Sequence, residues 1–111
     1  MKIILILITI FLPLSSAFPG EYYYVHMSGS VNKKNATLIS RVFYSNDDVY
    51  CSAFMDYATT YNEEFYYGSS ISKCYVNEYK TRKKAVVAKR KTIQISKANN
   101  FKVIENNFEG Y

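Results

Sequence analysis

Apolar residues open the chain in one unbroken run and afterwards appear only in short, differing patterns. In MKIILILITIFLPLSSA, residues 1–17, Lys2 is followed by the apolar stretch Ile3 to Leu12, then Pro13 and the small residues Ser15, Ser16 and Ala17. About ten apolar residues are too few for the ~20-residue helix that crosses a bilayer. A charged start, a short apolar core and small residues behind it have the form of a secretory signal peptide. A buried N-terminal strand is the other reading of the run. The expected product is soluble and secreted, without membrane insertion, its mature chain starting near Phe18 and forming one small domain over 18–111.

Past the signal, EYYYVHMS at residues 21–28 reads as a strand, because aromatic and β-branched residues dominate it. Over Lys33 to Tyr44 the spacing of Leu38, Ile39, Val42 and Phe43 predicts a helix with one apolar face, capped by Asn32 or Asn35. Asn46-Asp47-Asp48 reads as the turn that ends it. Short strands are expected at Val49–Met55, Phe65–Ser69 and Ser72–Tyr79, and a closing meander at Ala85–Ala88, Thr92–Ser96 and Phe101–Glu105. Lys89-Arg90-Lys91 would tip one hairpin, and Ala98-Asn99-Asn100 the next, since Asn tolerates positive φ. A helix over Glu78 to Lys91 competes with this reading, because Lys, Arg and Ala favour one. The pattern gives an α+β fold with one short helix packed on an antiparallel sheet, the alternative being an all-β sandwich.

A domain this small has a marginal core and benefits from a covalent staple. Cys51 and Cys74 are the two cysteines in the chain, and in an oxidising compartment they are expected to form one disulfide. With a single histidine they cannot complete a tetrahedral zinc shell, so no metal site is expected. Asn35-Ala36-Thr37 is an N-glycosylation acceptor, which requires Asn35 at the surface.

Charge is distributed unevenly. Residues 21–79 carry four basic and seven acidic side chains, whereas residues 80–102 carry nine basic and none acidic. The candidate polyanion site is therefore Lys80, Arg82, Lys83 and Lys84 with Lys89, Arg90 and Lys91. Such a block attracts RNA, sulfated glycans, an anionic lipid surface or an acidic protein face, or else protects an exposed strand edge from pairing. Twelve tyrosines, clustered at 22–24, 57 and 61, and 66–67, suit packing and in part a contact surface.

Catalysis is not expected. His26 is the sole histidine, and the acids Glu21, Asp56, Glu63 and Glu64 stand in no motif with it. No phosphate loop, nucleophile elbow or dinucleotide fingerprint occurs, so no catalytic residue and no cofactor is assigned. A secreted nuclease is disfavoured by the single histidine. A peptide precursor cut at Arg82-Lys83 or Lys89-Arg90 is disfavoured by the lack of repeats and of an amidation glycine.

The signal, the aromatic strand YYYVHMSG, the segment NATLISRVF and the closing KAVVAKRKTIQISKANNFKVI resemble in layout the ribonuclease-like secreted effectors of powdery-mildew fungi. The resemblance implies a small α+β ribonuclease-like fold, without catalysis, acting against or inside a host cell. On this basis the chain is expected to be a host-directed binding protein that engages RNA or a host protein through a basic hairpin. An extracellular β-sandwich that binds proteins or glycans through tyrosines is the alternative.

Overall fold

The computed structural model of the protein describes residues 20–67 and 73–110. The segment read as a signal peptide lies outside the described residues, as do the end of Phe65–Ser69 and the start of Ser72–Tyr79. Strand β1 (Glu21–Val31) is built from the aromatic run and turns through Asn32-Lys33 into β2 (Lys34–Ser40). Both turn residues have positive φ, 52° and 68°, as a type I′ hairpin requires. Asn32 is thus a turn residue and no helix cap.

Beyond β2 the chain stays on the same edge of β1 as β3 (Phe43–Ser45). The pairs His26–Ile39 and Tyr23–Phe43 enclose two residues on β1 and three on its partner, which is a bulge. Ser40 fills it: its Oγ accepts the Val25 N–H at 2.8 Å and donates to the Arg41 carbonyl at 2.8 Å.

The helix expected over Lys33–Tyr44 is therefore two strands. The four residues assigned to one helical face are split across the sheet, with Leu38 and Phe43 buried on one side and Ile39 and Val42 on the other. A sheet covered on both faces has apolar residues at consecutive positions, and such doublets imitate helical spacing.

Helix α1 (Cys51–Tyr61) replaces the strand expected at Val49–Met55. After it, β4 (Cys74–Tyr79) pairs antiparallel with the free edge of β1. Helix α2 (Arg82–Ala98) then crosses to β5 (Lys102–Asn106), which runs parallel to β2. A parallel pair needs such a crossover. Ala85–Ala88 and Thr92–Ser96 are thus one helix and not two strands, and Lys89-Arg90-Lys91 lies inside it and not at a hairpin tip. The competing helical reading of Glu78 to Lys91 holds from Arg82 onward.

Among the described residues, two helices on a five-stranded mixed sheet make this a small α+β fold. The described residues hold one helix more than expected, a parallel pair in place of a wholly antiparallel sheet, and one sheet where a sandwich would need two. Phe54 and Ala58 of α1 join Val25, Met27 and Leu38 in one core, and Phe108 meets the rings of Phe43, Phe54 and Tyr57 there with centroids 5.2–5.7 Å away. Ala85 of α2 joins Tyr24, Ile39 and Val42 in the core on the opposite face. Cys51 and Cys74 are disulfide-bonded, with Cα atoms 6.1 Å apart. The bond ties the start of α1 to the start of β4, so it joins a helix to a strand where two strands were expected.

Candidate polyanion-binding surface

Local signals at both ends define α2. The Thr81 hydroxyl accepts the Lys84 N–H at 3.2 Å as an N-cap. At the other end Asn100 takes φ 63°, and the Asn100 and Phe101 N–H groups bond to the Lys97 and Ser96 carbonyls, closing a Schellman turn. Asn100 is thus the left-handed residue that the Asn pair suggested, at a helix end and not a hairpin tip.

The inner side of α2 is made of small residues and hydroxyls, flanked by the partly buried Val86 and Ile93. Ala85 is fully buried, Thr92 is hydrogen-bonded to the Tyr24 hydroxyl at 2.8 Å, and Ser96 to Thr37 at 2.9 Å. Among the described residues no buried side-chain polar atom is left without a partner. These contacts fix the rotation of the helix, and with it the side on which its cations emerge.

Arg82, Lys83, Lys84, Arg90 and Lys91 are exposed on α2, and Lys80 is exposed just before it. Along the outer side, Lys83 and Arg90 stand seven residues apart, as do Lys84 and Lys91, so each pair lies along one ridge with members about 10 Å apart. Val87 and Ile95, 53% and 57% exposed, lie among these cations. Lys89 differs from the other six. Its side chain is only 14% exposed and its ammonium is 2.8 Å from Glu105 of β5, so it anchors the helix to the sheet. The structure therefore gathers six of the seven basic residues on accessible surface and turns one inward.

Arg82, Lys83 and Lys84 occupy the first turn, which contains no acidic residue. The N-terminal end of a helix carries partial positive charge, so cations there are unfavourable by about 0.3–1 kcal/mol each at low salt. Folding alone would favour acids at these positions.

His26 lies apart from any acid–base pair. Its ring stacks on Tyr75 and Tyr24 at centroid distances of 5.2 and 5.9 Å, and its Nδ1 accepts from Asn77 Nδ2 at 2.9 Å. Burial lowers its pKa from the ordinary value. The neutral imidazole, protonated on Nε2, is the form that this setting holds. Among the described residues there is no cluster of three or more His, Cys, Asp or Glu able to hold a metal, and no helix long and apolar enough to cross a membrane. Asn35 is exposed on β2. Of the acids, Glu21 is half-buried at the start of β1, while Asp56, Glu63 and Glu64 are exposed on or just after α1.

Sequence reasoning missed Arg41. It sits at the β1–β2 bulge, its backbone N–H bonds to the Asn106 carbonyl at 3.1 Å, and its guanidinium pairs with Glu109 at 3.0 Å. Nothing along the chain links it to the basic block 40 residues later. No family model matches the chain, and neither a curated protein nor a solved structure does.

Proposed function

We propose that the protein is a secreted, non-catalytic binding protein whose outer α2 surface engages a polyanion, with RNA the favoured ligand. The observation that carries this reading is the run Arg82-Lys83-Lys84 in the first turn of α2, where charge opposes the helix dipole. A residue pattern that breaks a local folding rule is the usual mark of a functional site. The cationic ridges of α2 supply the sequence-independent attraction on which phosphate-backbone binding rests. The half-buried, stacked His26 supports a binding role over hydrolysis. The disulfide and the form of residues 1–17 support an oxidising, secretory setting. In keeping with the resemblance to ribonuclease-like effectors, the site of action is a host cell. An acidic host-protein face is a second reading, favoured by Val87 and Ile95, because exposed aliphatics among cations suit a protein interface.

Titration of the secreted protein with structured RNA and with heparin at two salt concentrations tests the proposal. It is compared with a Lys83→Ala/Lys84→Ala/Lys91→Ala variant. Binding that weakens steeply with salt, and that the variant loses, is expected. Equal binding by the variant, or none at low salt, would leave the cations as a solvated helix face and favour the acidic protein partner.

A further inference from the structure

The bulge that carries Arg41 and Val42 faces one flank of α2 across a cavity of about 360 Å3. Its apolar lining is Val42, Val86 and Ile93, and its charged lining is Arg41, Arg82, Lys89 and Arg90. Arg82, Val86 and Arg90 stand four residues apart along a single ridge of the helix, so two guanidinium groups bracket an aliphatic patch over about 12 Å. Arg41 approaches from the sheet. The volume falls within the range of small-molecule sites, about 300–1,000 Å3.

Charge selects among ligands. Arg41 is paired with Glu109 and Lys89 with Glu105, while among the described residues neither Arg82 nor Arg90 has an ion-pair partner. Four cations against two carboxylates leave a surplus of two. A carboxylate ligand would neutralise half of it, whereas a phosphate monoester carries about −1.5 to −2 at neutral pH. Guanidinium groups also match phosphate oxygens two at a time. Inorganic phosphate would leave the aliphatic patch uncovered, and an uncharged body would leave the arginines unmatched.

We infer that this groove is a binding site for a phosphate monoester carried on a flat or apolar body of mononucleotide size. Two sources share that chemistry, a free nucleoside monophosphate and the phosphorylated end of an RNA strand. The second deepens the polyanion reading and rests on it; the first does not. The site is separable from the outer ridge, since Arg41 belongs to the groove alone. Lys84 and Lys91, by contrast, line the far side of α2.

Calorimetric titration of the full secreted protein with AMP, adenosine and inorganic phosphate tests the inference. AMP should bind at least about tenfold more tightly than either of the others. Arg41→Ala should lose about tenfold for AMP while its heparin titration stays unchanged. A Lys84→Ala/Lys91→Ala variant should weaken heparin binding and keep AMP. A 5′-phosphorylated oligoribonucleotide that outcompetes its 5′-hydroxyl twin on the parent, but not on Arg41→Ala, assigns the site to RNA ends. No difference between the twins, with AMP binding retained, assigns it to free nucleotides. If AMP, adenosine and phosphate bind alike or not at all, or if Arg41→Ala leaves AMP binding intact, there is no such site, whether or not the outer ridge binds polyanions.

Discussion

His26 shows how one residue sets the response of the fold to acid. Because burial depresses its pKa in the folded state, the unfolded chain takes up the proton first as pH falls. Its contribution is complete above the unfolded value of about 6.5 and is lost as pH falls toward the lower folded value. Thermal melts from pH 7.5 to 5 should show falling stability, and a His26→Gln variant should flatten that slope. An identical slope in the variant would assign it to other groups. Phe108 illustrates what was illegible at this scale. It is fully buried and touches three aromatic rings, yet in the sequence it stands alone in the polar segment NNFEGY. Only the return of the chain past α1 reveals it as core. Phe108→Ala should cost about 3–5 kcal/mol in denaturant unfolding, and a cost below 1 kcal/mol would remove it from the core.

At the scale of elements, the aromatic strand, the disulfide pair and the last strand were readable, α2 was legible only as the competing helical reading of Glu78 to Lys91, and α1 was not. The β1–β2 hairpin lacks the usual Asn-Gly or Asp-Gly signal, because its second turn residue is Lys33 at φ 68°. The N-cap position of α1 is Tyr50, which makes no side-chain cap, so no start signal marked the helix. A repeat of Phe54, Tyr57, Ala58 and Tyr61 at helical spacing was available. Helix α2 concealed itself differently. Its inner face carries Ala85, Ala88, Thr92 and Ser96, with hydrogen bonds from Thr92 and Ser96 to the sheet, and only Val86 and Ile93 add larger apolar groups beside them, so no broad apolar stripe appears. The Val86-Val87 doublet and the alternation of Ile93 with Ile95 then imitate strands. Thr81 was the signal that could have found it. Lys84 is the third residue of that helix, so Lys84→Glu would complete a capping box with Thr81 and oppose the dipole no longer. It should stabilise the fold by about 0.5–1 kcal/mol in melts while weakening binding to RNA. A variant that loses both stability and binding would contradict the claim that these cations are placed against the interest of folding.

Across the whole molecule, one sheet with a helix on each face leaves two small cores, and the Cys51–Cys74 bond secures the connection between α1 and β4. The composition predicted that staple and the charge block and offered a helix for the block, but not its rotation, which contacts with Tyr24 and Thr37 fix. Cys51→Ser/Cys74→Ser should cost about 3 kcal/mol, or more than about ten degrees in Tm, and an unchanged Tm would make the bond dispensable. Where a ligand touches the protein is read from amide NMR spectra of the labelled protein with a structured RNA added at low salt. Shifts concentrated between residues 80 and 98 on the outer side of α2, fading as salt rises, are expected. Shifts centred on the exposed tyrosines Tyr50, Tyr61 and Tyr66 around α1 would contradict binding through α2.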